Sequence, residues 1–139
     1  MLTSPRVLLL GNDDAETAWW EGMFREHAAI KIVHDLLELK ASLEDDSFDA
    51  VFCGWTFCSG TWRQALAQVQ QQRPEMPVVI VSGTADEQEW IRVLEAGAFD
   101  LLATPFQERT LLPVLEQAIA LHEARRSHHA GSFLHATAS

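Results

Sequence analysis

A doubly wound α/β fold, a five-stranded parallel sheet covered by five helices, is the architecture this 139-residue sequence predicts. Three observations predict it. Short apolar runs of strand length alternate with segments of helical period. The runs are apolar at consecutive positions, as in strands buried on both faces. The segments between them are long enough to be crossover helices, which parallel pairing requires.

The elements follow in order. Val7 to Leu10 is the first apolar run. Asp14 is placed to cap a helix whose inner side carries the i,i+4 pairs Trp19/Met23 and Trp20/Phe24. Ile30 to Val33 is the second strand. Leu36, Leu37, Leu39 and Leu43 form a short helix that ends in Glu44-Asp45-Asp46. Ala50 to Cys53 is the third strand, and a helix over Gly60 to Gln72 is stopped by Pro74 and Pro77. Val78 to Val81 is the fourth strand. Asp86 to Ala96 is the next helix, with Gly97 as its stop. Phe99 to Ala103 is the fifth strand. The last helix is expected from Thr110 to Arg125, with Thr110 as N-cap so that Pro113 falls in the first turn, where its missing N–H is harmless. After Arg126 the apolar period is lost. The domain is therefore expected over residues 5–126, followed by a flexible tail over 127–139.

Composition bounds the function. Hydrophobic residues make up 47% of the chain and charged residues 22%, an ordinary globular balance. No run of about 18 apolar residues is present, so no membrane span is expected. Met1 to Arg6 leads into only four apolar residues, too few for a signal-peptide core, and a cytoplasmic location is expected. The formal charge of −10 opposes direct contact with nucleic acid, because the basic residues do not cluster beyond Arg125-Arg126. Cys53 and Cys58 make no disulfide framework: Cys53 reads as an inert buried thiol, and Cys58, in a loop, has nothing basic beside it. His122, His128 and His129 lack the packed surroundings of a metal site, and no metal or cofactor is expected.

In sheets of this kind ligands sit outside the carboxyl ends of the strands, which points to loops 11–14, 54–60, 82–86 and 104–107. Those loops carry a resemblance. The stretch Pro77-Val-Val-Ile-Val-Ser-Gly, followed by Glu95-Ala-Gly-Ala-Phe-Asp-Leu-Leu-Ala-Thr-Pro-Phe, resembles the second half of a response-regulator receiver domain. Phe48-Asp-Ala-Val-Phe-Cys resembles its third strand, and the 22-residue spacing from Ser82 to Thr104 matches the family's spacing from switch hydroxyl to lysine. The resemblance covers roughly residues 5–124. It implies the flavodoxin-like fold with strand order 2-1-3-4-5.

The resemblance also implies a chemistry. A working receiver takes a phosphoryl group onto an aspartate at the end of the third strand. Acids after the first strand hold Mg²⁺, a lysine after the fifth strand pairs with the phosphoryl charge, and a hydroxyl after the fourth reports it. Here the acceptor position falls on Gly54, the acid pair on Gly11 and Asn12, the lysine on Thr104 with Pro105 behind it, and the aromatic switch on Leu101. Ser82 keeps the hydroxyl, with the small residue Gly83 after it. Glycine has no side chain to act as nucleophile, so the step is lost rather than slowed. Asp49 lies five residues upstream, about 16 Å along the strand, and is expected to be structural. Asp13 is a possible metal ligand, but it lacks the acidic partners that Mg²⁺ needs. Sliding the register by two residues places Phe52 or Thr56 at the acceptor, and neither is an acid.

The expectation is therefore no catalytic residue and no enzymatic activity. The chain reads as a pseudo-receiver of bacterial two-component signalling, a phosphorylation-independent module for an unidentified protein partner or for a homodimer. Its expected interaction face is that of the fourth helix, fifth strand and fifth helix, carried by Trp90, Leu94, Leu101, Phe106 and Leu112. A small-ligand sensor is the alternative, with Asn12, Asp13, Ser82, Thr104 and the Trp55 ring lining a neutralised crevice. Trp55 and Trp62 beside that crevice either fill vacated space or offer rings for stacking.

Overall fold

The computed structural model describes residues 5–11, 14–57, 60–83, 86–104 and 106–138. Five strands form one parallel sheet: β1 (Arg6–Leu10), β2 (Ala29–Val33), β3 (Ala50–Gly54), β6 (Val78–Ser82) and β7 (Asp100–Ala103). Two further strands, β4 (Thr56–Phe57) and β5 (Gly60–Thr61), pair antiparallel in the connection after β3. The helices are α1 (Asp14–Phe24), α2 (Leu36–Asp45), α3 (Trp62–Gln72), α4 (Glu87–Glu95) and α5 (Glu108–Ala138). The order across the main sheet is β2-β1-β3-β6-β7. With the two-residue strands set aside, this is the expected 2-1-3-4-5.

The consecutive apolar runs are explained by a core on each face. Leu8, Leu10, Val51, Cys53, Val78 and Ile80 point to one side, where Leu39 and Leu43 of α2, Leu66 and Val69 of α3 and Val93 of α4 cover them. Val7, Leu9, Ala50, Phe52, Val79 and Val81 point to the other, against Trp20 and Phe24 of α1 and Leu111 and Leu115 of α5. The Phe24 and Phe52 rings meet edge to face at 4.7 Å. Each such fully buried side chain contributes about 1.5–3 kcal/mol by leaving water. Register carries the same logic: Val7 pairs with Ala50 and Val51 with Val78, so side chains that share a face stay in line across the central strands.

Local signals fix the helix ends. Asp35 caps α2 by accepting from the Glu38 N–H at 2.8 Å, and Asp86 caps α4 by accepting from the Glu89 N–H at 2.8 Å. At the start of α3 the Thr61 N–H donates to Gln64 Oε1 at 2.9 Å. Gly97 ends α4 with φ of 105°, its N–H on the Leu94 carbonyl and the Ala98 N–H on the Val93 carbonyl. This is the Schellman closure, in which a side chain is strained by the left-handed backbone.

Three expectations change. The β4–β5 hairpin takes the connection after the third strand and also Gly60 and Thr61, the first two residues of the expected helix, which begins at Trp62 instead; two-residue strands leave no periodic signal. α5 begins at Glu108, before Thr110, because the Thr110 and Leu111 N–H groups bond back to the Gln107 carbonyl; Pro113 then lies in the helix interior. α5 also continues past Arg126 to Ala138, so the tail predicted over 127–139 is helical through residue 138. That segment has lost its apolar period but contains no proline, and Gly131 alone costs a helix only about 1 kcal/mol.

Candidate functional site

β1, β3 and β6 end side by side, and β7 ends next to β6, so their carboxyl ends gather four of the expected positions. Gly11 follows β1, Gly54 closes β3, Ser82 closes β6 and Thr104 follows β7. Asn12, Asp13, Pro105 and Cys58 lie outside the described residues.

Gly11 is buried, and its N–H donates to the Val33 carbonyl at 3.2 Å. A side chain built there would run into the Thr17 Cγ2 methyl, with the Trp20 ring behind it. Both residues are buried parts of α1, so the space for an acid after β1 is already filled. Gly54 is buried between β1 and β6 and presents backbone only. Its carbonyl accepts from Cys53 Sγ at 3.2 Å, and burial pushes the Cys53 thiol far above its ordinary range.

The hydroxyl side of the site is occupied from within. Ser82 is buried, and its Oγ donates to Glu89 Oε1 of α4 at 2.9 Å. Thr104 turns back on β6: its N–H donates to the Ser82 carbonyl at 2.9 Å and its Oγ1 lies 3.5 Å from the same oxygen. Where the resemblance implies an ammonium, the structure holds a neutral hydroxyl. Glu89 was not singled out in the sequence; its position three residues after the cap Asp86, on the turn facing the end of β6, is the signal that could have found it.

The tryptophans divide. Trp62 is core, and Trp55 packs against it at 5.4 Å between ring centroids. Trp20 is fully buried, whereas Trp19 is partly exposed and meets Phe106 edge to face at 5.0 Å. Asp49 is structural as expected: Oδ2 accepts from the Arg6 N–H at 2.8 Å, and Oδ1 lies 3.4 Å from His122 Nδ1.

The expected interaction face is corrected in part. Leu101 and Phe106 are buried, one in each core, and present no surface to a partner. Leu94 and Leu112 are partly exposed. Trp90 is 46% exposed, and its Nε1 donates to Asp100 Oδ1 at 3.3 Å, beside Leu101. Ile91, 43% exposed, stands next to it. Val93 of α4 and Ala98 just beyond its end are the buried positions, so Trp90 and Ile91 lie toward the outside.

Among the described residues, Glu26, His27 and Glu108 bring ligand-type atoms within 4.8 Å of one another. The His27 Nε2 to Glu108 Oε1 contact, at 2.7 Å, satisfies that pair as a hydrogen bond.

The comparisons agree with this fold. The response regulator receiver domain model matches residues 7–116, most of the chain. The chain belongs to that family and is a receiver domain of the two-component signalling type. Among curated relatives, it is 38% identical over 63 residues to the C4-dicarboxylate transport transcriptional regulatory protein DctR of Rhodobacter capsulatus, covering 43% of this chain and 32% of that protein. It is 29% identical over 58 residues to the nitrogen assimilation regulatory protein NtrX of Azorhizobium caulinodans, covering 42% of this chain and 13% of that protein. The matched segments thus span a third or less of either relative. Among solved structures, a CheY-like receiver domain protein from Methanospirillum hungatei superposes with a TM-score of 0.77 at 21% identity, covering 88% of this chain and 98% of that one. NtrX from Brucella abortus, in complex with ATP, superposes with a TM-score of 0.82 at 22% identity, covering 90% of this chain and 29% of that one. At these identities the superpositions establish the fold. No helix among the described residues is long and apolar enough to cross a membrane.

Proposed function

We propose that the chain is a pseudo-receiver, a protein-interaction module that works without phosphorylation and has no enzymatic activity. The observation that carries this reading is Gly54. β3 ends on a glycine where phosphoryl transfer needs a carboxylate nucleophile, and Gly54 has no side chain to supply the attacking oxygen. Three contacts support it. Thr17 fills the place of a metal-binding acid at Gly11. Thr104 offers no positive charge to a phosphoryl oxygen. Ser82 has a carboxylate partner already, in Glu89.

That last contact bears on switching. In a phosphorylated receiver the hydroxyl answers the phosphoryl group. Here an acid of α4 holds the same hydroxyl, so α4 is tied to β6 by the chain's own charge. The equilibrium between conformations is then set by sequence and by whatever binds. The binding face in this reading lies along α4, β7 and α5, with Trp90 and Ile91 as exposed apolar anchors and Leu94 and Leu112 as partly exposed neighbours. Its partner is a protein or a second copy of this chain, in the cytoplasm. The alternative, a small-ligand crevice at the strand ends, is disfavoured by the Thr17 methyl and the Trp20 ring, which occupy the space beside Gly11.

Intact mass after incubation with acetyl phosphate and Mg²⁺ tests the reading. No phosphoryl adduct is expected. A labile gain of roughly 80 Da, the mass of a phosphoryl group, would place the acceptor on another carboxylate and overturn it.

A further inference from the structure

The end of the sheet opposite the strand-end site holds a cavity of about 140 Å³. Ser47 and Phe48 line it from the turn before β3, Arg73 and Glu75 from the turn after α3, and His122 and Arg126 from α5. The last two stand four residues apart and so share one helix face. Two arginines and a histidine thus line it with one acid, Glu75, while Asp49 stands behind His122, in a chain of net charge −10.

Each basic group is placed differently. Arg73 donates from Nε and Nη2 to the Leu43 carbonyl, at 3.0 and 2.7 Å, which fixes the guanidinium and leaves Nη1 uncommitted by those bonds. Arg126 is exposed and makes no ion pair among the described residues. His122 is 3% exposed, and its Nδ1 has no hydrogen-bond partner although Asp49 Oδ1 lies only 3.4 Å away. A buried polar atom left in that state is costly, and native structures rarely keep one without a reason. Here that atom belongs to a residue that lines the cavity.

We propose that this basal cavity binds a small oxyanion, a phosphate or a carboxylate of similar size, between Arg126, Arg73 and His122. Its volume admits a group of a few heavy atoms and falls below the range of sites that hold drug-sized ligands. Bound there, the anion bridges α5 to the turns that precede β3 and β6. The site is separate from the strand-end positions and independent of the reading given to them.

The test is a ¹⁵N-resolved NMR titration of the full chain with inorganic phosphate, and separately with succinate, at constant ionic strength set by chloride. Saturable shifts confined to residues 47–48, 73–76 and 122–126 are expected for at least one of the two. Phosphate alone saturating identifies a phosphoryl ligand, and succinate alone a carboxylate; either supports the site. Arg126→Glu, at an exposed position, should keep the fold and weaken binding at least roughly tenfold, as loss of a charge-assisted hydrogen bond does. Shifts that chloride reproduces, saturable shifts centred on Gly11, Gly54 and Ser82 instead, or unchanged affinity in Arg126→Glu would each overturn the proposal.

Discussion

Cys53 shows how burial at a single residue sets chemistry. Its thiol stands in the central strand with both faces of the sheet covered, so the thiolate would have to form without water. The native protein should therefore leave Cys53 unmodified by iodoacetamide at pH 8 and expose it to labelling only when urea unfolds the chain, as peptide mass mapping reads directly. Labelling of Cys53 in the native state would contradict its placement. The same burial has a pH consequence. The folded chain keeps a proton that the unfolded chain releases above its ordinary pKa of about 9, so this group lowers stability as pH rises past that value. Asp49 makes a related point about position. A carboxylate next to β3 invites a catalytic reading, yet just before the strand begins it fastens the Arg6 N–H and lies beside His122, a whole strand length from the site.

At the scale of elements, α4 is held at three places with different physical origins. Asp86 caps its first turn, Gly97 closes its last, and the Glu89 carboxylate takes the Ser82 hydroxyl. The last is the one that links the helix to the strand-end site. Replacing Glu89→Ala removes that acceptor and leaves the backbone cap on the Glu89 N–H intact. Hydrogen exchange across residues 87–95 should accelerate by roughly three- to tenfold, while exchange in α2 and α3 stays unchanged. Glu89→Gln, which retains an acceptor, should change exchange less. Unaltered exchange of α4 in the alanine variant would mean that the contact does not hold the helix. α5 is the contrasting case. Its first half is pinned by Leu111, Leu115, Ala118 and His122, all buried. Beyond Arg126 no such anchors were legible in the sequence, and this is why the helix was expected to stop there.

For the molecule as a whole, the question is which surface meets a partner. Trp90 and Ile91 place two large apolar side chains in water side by side on α4, next to the edge strand β7. If that face joins two copies of the chain, Trp90→Ala should weaken self-association at least tenfold in sedimentation velocity over a concentration series, with an unchanged circular dichroism spectrum. An association constant that does not move would take the face out of the interface. The sequence made the sheet legible because β1, β3 and β6 are buried on both sides and need apolar residues at every position, a pattern few other structures share. It made the strand-end positions legible because the fold brings Gly11, Gly54, Ser82 and Thr104 together wherever such a sheet forms. What escaped it was side-chain traffic between distant segments: the Glu89 carboxylate arriving at Ser82, the basic groups of α5 and the α3 turn sharing a cavity, and Leu101 and Phe106 turning inward. None of these has a period or a spacing of its own.

The contact between Gly11 and Thr17 has one more consequence, which concerns reversal. An aspartate introduced at residue 11 would strike the Thr17 methyl, so it is harmful until position 17 has first become smaller. A smaller residue at 17, taken alone, opens a void in the core beside the Trp20 ring and is harmful too. Each change is tolerable only once the other has happened, and neither gains anything while β3 still ends in glycine. On the pseudo-receiver reading, a path back to phosphoryl chemistry is thus closed by epistasis: single substitutions lead downhill from this sequence, and only a coordinated set would arrive.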